Sequence, residues 1–206
     1  MTMKANRTKN RREERGSELF ELALLLPVLL VIAAGVIDFT NAWSVRQVLA
    51  NAAREGSRLA SAQPMLDLDT TNPETIQQTC QDVADYLAES GVSTAFMNGT
   101  SANPAAGCDS PTPILDTNSE LNNAVPLAWT YYSSGTYGLK IQRTVLVNVV
   151  SSSQNRGVSS TVVTLNFPFR WPFGFDHIIN LTRRGAGNGY PNPLSIKVHS
   201  TMANID

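Results

Sequence analysis

The chain has 206 residues, a formal net charge of −1 at pH 7 and only 16% charged residues. That length suits one domain with an appendage, and a near-neutral charge gives no electrostatic reason to expect a nucleic-acid partner. Because soluble domains usually carry about 25% charged residues, the low fraction indicates an apolar segment, which the sequence places near the N-terminus.

A basic leader precedes this apolar segment. Residues 1–16 contain six Lys and Arg residues against two Glu, and Leu22–Ile37 contains no charged side chain. With Leu19, Phe20 and Phe39 the apolar run reaches about 20 residues, or roughly 30 Å of helix, which is enough to cross a bilayer. Because positive residues stay on the cytoplasmic side, we expect a single-pass inner-membrane protein with its N-terminus inside and the remainder outside.

Three interpretations of this region compete. A secretory signal would be cleaved near small residues such as Ala33–Gly35, although its apolar core normally spans about 7–15 residues and this run continues further. An uncleaved signal anchor requires only the basic leader and the apolar run. The third interpretation also accounts for two glutamates, Glu18 and Glu21, at the start of the run.

Glu21 is harder to explain as an ordinary interfacial residue than Glu18. Both lie in the first turns of the expected helix, where the helix dipole favours negative charge. Glu21, however, stands between Phe20 and Leu22 and is followed by a purely apolar run. Since a carboxylate in this environment is unfavourable unless it is paired, we expect a cationic partner for Glu21.

Gly16 and Ser17 provide a candidate for that partner. Cleavage after Gly16 would leave a free amine on Ser17 and make Glu21 the fifth residue of the mature chain. This arrangement resembles the class III signal of type IV pilins and pseudopilins, in which a prepilin peptidase cuts after a glycine ahead of the apolar helix. The resemblance implies that Glu21 pairs with the N-terminal amine of a neighbouring subunit during assembly.

A longer stretch, ELALLLPVLLVIAAGVIDFTNAWSVRQVLANAAREGSRLAS, resembles the N-terminal block of TadE-like proteins, the larger pilin-like subunits of the tight-adherence (Tad, or Flp) pilus system. The shared elements are Glu21, Pro27, Asp38–Phe39 and NAAREGSR at Asn51–Arg58. Leu22 stands where an aromatic residue usually follows the glutamate. The resemblance implies a minor pilin or pseudopilin in Tad pilus biogenesis, with membrane lipid, a prepilin peptidase, other pilin-like subunits and the Tad assembly platform as partners.

The helix is expected to continue beyond the membrane. Apolar residues recur at helical spacing from Trp43 to Ala60 with arginines between them, which predicts an amphipathic continuation to about Ala62, ended by Pro64. The predicted organisation is a leader at 1–16, a long helix at 17–62 that spans the membrane in its first half, and an extracytoplasmic head at 63–206.

A second helix is predicted within the head at residues 72–91. Asn72 is expected as its N-cap, Pro73 as its first helical residue and Gly91 as its end. One face of this helix is apolar and should be buried: Ile76, Cys80, Val83, Ala84 and Leu87. Residues 91–123 are rich in Ser, Thr, Asn, Pro and Gly, which predicts an irregular surface segment.

Three later segments alternate apolar and polar residues as strands do, at 140–150, 161–169 and 194–202. Their expected apolar faces are Ile141, Val145, Val147 and Val149; Val163, Leu165, Phe167 and Phe169; and Leu194, Ile196, Val198 and Met202. Residues 151–157 read as a hairpin loop, and 167–177 as a loop whose aromatic residues cover the sheet edge or form a contact surface. The sequence therefore predicts a small α+β head with about three antiparallel strands.

Cys80 and Cys108 are the only cysteines in the chain. An even pair in an oxidising compartment favours a disulfide, against the alternatives of two free or metal-bound thiols. Linked, they would close a loop of about 29 residues, which the chain-entropy model values at about 3.6 kcal/mol.

The sequence offers little for catalysis. Its two histidines, His177 and His199, accompany no nucleophile motif such as G-x-S-x-G, and it has no recognisable phosphate loop. We therefore expect no enzyme, no cofactor and no metal site. Two function classes remain: a TadE-like structural and assembly protein, or a membrane-anchored extracytoplasmic binding module with an uncleaved signal anchor.

Overall fold

The computed structural model describes residues 7–64, 68, 73–97, 107–109, 112–114, 128–132, 137–151, 154–173 and 193–204. Within these ranges the chain forms two helices, α1 (Arg7–Ala62) and α2 (Glu74–Glu89), and five strands. The strands are β1 (Thr112–Ile114), β2 (Ala128–Tyr132), β3 (Gly138–Ser151), β4 (Gln154–Phe169) and β5 (Leu194–Ala203). The predicted α+β class and long N-terminal helix are confirmed.

The strands form one antiparallel sheet in which neighbours in sequence are neighbours in space, in the order β1-β2-β3-β4-β5. The prediction of about three strands is therefore two short. β1 lies inside the segment predicted to be irregular and pairs Thr112 with Thr130 of β2. A three-residue strand that contains Pro113 has no alternation to detect, and a proline is tolerated because β1 is at the edge of the described sheet.

β3 and β4 form a long hairpin that differs from its predicted form in two ways. The predicted loop at 151–157 is too long, because β3 extends to Ser151 and β4 begins at Gln154. The register also shifts between Gln142 and Val145, where β3 contains one more residue than β4. One inserted residue interrupts the simple alternation of a strand, so the uninterrupted alternation predicted for β3 does not hold at this point. The side chains of residues 144–151 lie outside the described residues, so the predicted facing of Val145, Val147 and Val149 stays a prediction.

The predicted apolar faces of β4 and β5 agree better with the structure. Val163, Leu165 and Phe169 are buried, and so are Ile196 and Val198, but Met202 is exposed. The predicted aromatic loop at 167–177 is wrong at its start, because β4 runs to Phe169. Phe167 packs edge-on against Phe96, with their ring centroids 5.0 Å apart, whereas residues 174–177 lie outside the described residues.

The chain divides into two compact units. The first comprises residues 1–41 and 171–189, and the second comprises 42–170 and 190–206. The core of the second unit combines the later turns of α1, one face of α2 and one face of the sheet. Its largest fully buried apolar side chains include Leu49, Ile76, Leu87, Trp129, Leu139, Ile141 and Leu165.

Helix α2 buries the predicted stripe together with Thr79. Its start differs by one residue from the prediction, because Pro73 is the N-cap and Glu74 the first helical residue, while Asn72 lies outside the described residues. Its end is as predicted. Gly91 has φ of 73°, and the amides of Gly91 and Val92 donate to the carbonyls of Ala88 and Leu87, which is the Schellman arrangement that favours glycine.

Cys80 and Cys108 form the predicted disulfide, with their Cα atoms 5.6 Å apart. Both residues are fully buried. The bond joins α2 to residues 107–109 and so fixes to the core a short part of a segment that is otherwise poor in apolar residues.

Candidate processing and assembly segment

The three residues of the predicted processing and assembly site all lie on α1. The helix begins at Arg7, so its backbone includes Gly16, Ser17 and Glu21. Glu21 lies four positions after Ser17, which corresponds to about one helical turn and about 6 Å of rise, so both positions share one face. The side chains of residues 7–18 lie outside the described residues, so the geometry of the site rests on the backbone and on Glu21.

Glu21 is exposed and makes no hydrogen bond or ion pair within the described part of the chain. The large apolar side chains beside it are exposed as well, with Phe20 at 71% and Leu22 at 59%. A carboxylate in this position has no cation from its own chain to offset its charge among the described residues.

The apolar run that follows Glu21 is not buried by the protein. Among the described residues, one helical stretch is long and apolar enough to cross a membrane, and none of its most apolar window is buried. Its large exposed side chains are Leu19, Phe20, Leu22, Leu24, Leu25, Leu26, Val28, Leu29, Leu30, Val31, Ile32, Val36, Ile37 and Phe39. A continuous apolar surface of this size requires a cover other than water, and a bilayer or neighbouring apolar helices meet that need.

The motif NAAREGSR at Asn51–Arg58 has one set of buried residues and one set of exposed residues. Its small residues Ala52, Ala53, Gly56 and Ser57 are buried, whereas its arginines are exposed. The Arg58 guanidinium donates to the Glu55 carboxylate and lowers the pKa of Glu55. Because such an exposed ion pair contributes little to stability, the main structural effect of the motif is that its small residues let α1 lie close to the head.

One residue that supports the end of α1 was not singled out from the sequence. Arg143 is fully buried, and its Nη2 donates to the backbone carbonyl of Gln63 at 2.9 Å. The Gln63 side-chain oxygen also accepts a bond from Thr79 of α2 at 3.2 Å. Gln63 thus connects α1, α2 and β3. Sequence periodicity gave no signal for Arg143, because it lies in the register shift of β3, where alternation fails.

A second non-local bond fixes α1 to the sheet. The hydroxyls of Ser57 and Ser200 lie 2.8 Å apart, and Ser57 also donates to the carbonyl of Arg54 at 2.9 Å. Since a hydroxyl carries one proton, Ser57 accepts from Ser200 while it donates to Arg54. The last turns of α1 are therefore bonded to β5 through Ser57, and the residue directly after α1, Gln63, is bonded to β3.

The described residues contain no group of three or more His, Cys, Asp or Glu side chains placed to hold a metal ion. His199 is exposed on β5, and His177 lies outside the described residues. In the second unit, the side chains described above are the small residues of the NAAREGSR motif, the hydroxyls of Ser57 and Ser200, and the guanidinium of Arg143. They connect the end of α1 with the sheet.

These features define a class of protein: a chain with a long first helix that includes an uncovered apolar stretch, followed by an α+β head. Residues 16–58 match the family model described as TadE-like protein. The TadE-like resemblance of the N-terminal block is therefore confirmed over these residues, which form about a fifth of the chain and lie entirely within α1. No curated protein and no solved structure matches the chain.

The matched segment begins at Gly16 and contains Glu21, the apolar run, Asp38 and the NAAREGSR motif. TadE-like proteins are a structural, pilin-like family, and the similarity of this chain to that family is limited to the matched residues. The one helix among the described residues that is long and apolar enough to cross a membrane is compatible with a single-pass membrane anchor.

Proposed function

We propose that this protein is a TadE-like minor pilin or pseudopilin that acts in biogenesis of a Tad-type adhesive pilus and is cleaved by a prepilin peptidase after Gly16. The observation that carries the proposal is Glu21, which is exposed without a partner in the described chain, one turn beyond Ser17, at the start of an uncovered apolar helix. The proposed role is structural rather than catalytic.

Cleavage would create a positive charge that could pair with the Glu21 carboxylate. The new amine of Ser17 carries a positive charge at neutral pH, and it would lie at nearly the same membrane depth as the carboxylate of a neighbouring subunit. Two opposite charges in a poorly solvated site attract each other strongly, and each makes the other tolerable there. The pair would therefore hold successive helices in register while their apolar surfaces pack together.

The proposed location is the inner membrane, with the basic leader in the cytoplasm and the head outside. The excess of Lys and Arg in residues 1–16 supports this orientation. The Cys80–Cys108 disulfide supports an oxidising environment for the head. The proposed partners are membrane lipid, the prepilin peptidase, other pilin-like subunits and the Tad assembly platform.

Processing is tested by N-terminal sequencing of the protein purified from its native membrane. We expect the mature chain to start at Ser17, and the Gly16→Leu variant to retain its leader because the peptidase requires a small residue before the cut. A wild-type chain that starts at Met1 would support the uncleaved anchor, and one that starts near Gly35 would support an ordinary secretory signal. Either result would contradict the proposal.

Assembly is tested by Glu21→Gln, with Glu18→Gln as a matched control that removes the same charge one turn earlier. Gln keeps the size of Glu and eases membrane insertion, so the Glu21 variant should be cleaved and should accumulate normally. Loss of one member of a buried ion pair costs about 3–5 kcal/mol, and 4 kcal/mol corresponds to about a thousandfold in affinity.

The two variants should therefore differ in assembly alone. Glu21→Gln should lose crosslinking to other pilin-like subunits and should lose piliation, whereas Glu18→Gln should keep both. Normal piliation with Gln at position 21 would show that the carboxylate has no assembly role. An equal loss in both variants would point to the general charge of the helix start and not to a specific pair.

A further inference from the structure

A buried carboxylate lies directly after the apolar run, in the first compact unit. Asp38 is fully buried, and its Oδ1 accepts a hydrogen bond from the backbone amide of Phe173 at 3.1 Å. Its other oxygen, Oδ2, is also buried and has no hydrogen-bond partner within the described part of the chain. A segment 135 positions later in the sequence is thus attached to α1 where the apolar run ends.

The exposure of the neighbouring side chains is the reverse of what water favours. Phe39 is 64% exposed and Phe173 is 58% exposed, while the Asp38 side chain, which bonds the Phe173 amide, is covered. Surfaces that face water usually present the carboxylate and hide the rings. A surface that faces the boundary of a bilayer does the opposite, because aromatic rings are favoured at the level of the lipid headgroups.

The position of Asp38 along α1 agrees with that boundary. Asp38 lies 17 positions after Glu21, which corresponds to about 26 Å of helix rise, close to the roughly 30 Å thickness of a hydrocarbon core. If Glu21 lies at the inner face of the membrane, Asp38 and the rings beside it lie at the outer face.

We propose that Trp171–Phe173 is a membrane-interface strap, which Asp38 fastens to α1, and that Phe39 and Phe173 insert together into the headgroup region of the outer leaflet. The proposal rests on the membrane-spanning part of the proposed function and is independent of cleavage and of filament assembly. Aromatic rings at the headgroup level resist movement both into the hydrocarbon and out into water, so residues 171–173 stay at that level beside α1 while Asp38 holds them. The hydrogen bond from Phe173 to Asp38 satisfies a backbone amide that would otherwise face lipid unpaired.

The test places a spin label on Phe173→Cys in the full chain, reconstituted in nanodiscs that hold one copy each. The disulfide leaves the introduced thiol as the only free cysteine to react. Depth is read from the accessibility of the label to oxygen, which concentrates in lipid, relative to a water-soluble nickel chelate. Control labels are placed at Leu29→Cys in the apolar run, at Phe39→Cys on α1 and at Gln81→Cys on the exposed face of α2.

We expect the labels at positions 173 and 39 to show the same ratio of oxygen accessibility to nickel accessibility. This ratio should be several-fold higher than the ratio at position 81. In the Asp38→Ala background, the label at 173 should move to the value at 81 while the label at 39 keeps its depth. Asp38→Asn should preserve the depth at 173, because its amide oxygen also accepts the bond from Phe173.

Three outcomes would overturn the proposal. The label at 173 would read as aqueous in single-copy nanodiscs if the strap does not meet lipid. Protection that occurs only in nanodiscs with two copies would identify the rings as a contact between subunits. An aqueous reading at Leu29→Cys would refute the membrane span itself, and so would be distinguishable from failure of the strap alone.

Discussion

Gly56 of α1 and Val83 of α2 lie so close that a Cβ atom at position 56 would come within 2.5 Å of the Val83 Cγ2. The same Cβ would lie 3.6 Å from the Cγ1 of Val163 in β4. Real Cβ atoms essentially never approach a heavy atom to 2.5 Å, so only glycine fits here without movement. The glycine of the NAAREGSR motif is thus a point of close approach between α1, α2 and the sheet.

Gly56→Ala is therefore expected to destabilise the head. Val83 is β-branched and cannot easily rotate away, and overpacking of this kind costs about 1–3 kcal/mol. Alanine regains about 1 kcal/mol of helix propensity, which leaves an expected net loss of up to about 2 kcal/mol. The measurement is the midpoint of denaturant unfolding of the full chain in detergent, followed by near-ultraviolet circular dichroism.

The matched test of this mechanism is the double variant Gly56→Ala with Val83→Ala. Removal of the Val83 methyl groups makes room for the new Cβ, so the loss in the double variant should be clearly smaller than the sum of the two single losses. Strictly additive losses would contradict steric overlap between these two positions.

Reduction of the Cys80–Cys108 disulfide should destabilise the head by several kcal/mol. The chain-entropy model gives about 3.6 kcal/mol for the loop it closes. Thiol labelling of the denatured, unreduced protein should find no free sulfhydryl, and the midpoint of unfolding should fall when a reductant is added.

The Cys80→Ala, Cys108→Ala double variant separates the crosslink from reductant effects. It should unfold at a lower denaturant concentration than the oxidised wild type and should not respond to reductant. Two readily labelled thiols in the wild-type protein would show that the bond is absent in the native head.

Asp82→Asn should stabilise the head at neutral pH and lose this advantage in acid. Partial burial raises the pKa of the Asp82 carboxyl, and the nearby carboxylates of Asp85 and Glu55 raise it further. A group whose pKa rises on folding stabilises the folded state at pH values below its unfolded-state pKa. This stabilisation is lost as the pH rises through its folded-state pKa. The ionised carboxylate therefore opposes folding at pH 7, and its replacement by Asn removes that penalty.

The expected gain is about 0.2–0.5 kcal/mol, the range for like-charge pairs on a helix surface, because solvent screens a largely exposed group. Thermal unfolding at pH 7 and near pH 3 would measure it. In an Asp85→Asn background the gain at pH 7 should shrink. A gain that grows as the pH falls would contradict the assigned sign.

Elements with a strong local pattern could be predicted from the sequence, and the others could not. The stripe on α2 and its end at Gly91 were visible because helical spacing and a glycine in a left-handed conformation are local features. β1 and β2 were missed because β1 spans three residues and its existence depends on pairing with β2. The register shift in β3 was missed because an inserted residue leaves the composition of a strand unchanged while it interrupts the alternation.

The residues of the candidate site also fall into those that the sequence indicates and those that only the structure shows. Gly16, Ser17 and Glu21 stand out in the sequence because the charge, the small residue and the apolar run are adjacent in the chain. Asp38 was noted only as part of a motif, and its bond to Phe173 was not foreseen. Arg143 carried no sequence signal at all, since nothing in its own strand indicates that its guanidinium reaches Gln63.

By itself, the sequence determined the long apolar helix with its basic leader, the second helix, three of the strands and the cysteine pair. Periodicity, charge asymmetry and cysteine content are properties of short segments or of composition, and the physics of each segment is largely contained within it. Only the tertiary structure decided that Asp38 holds Phe173 and that Ser57 bonds Ser200, across 135 and 143 positions of chain. Such contacts depend on which surfaces meet when distant segments bury their apolar faces together, and no local pattern specifies that meeting.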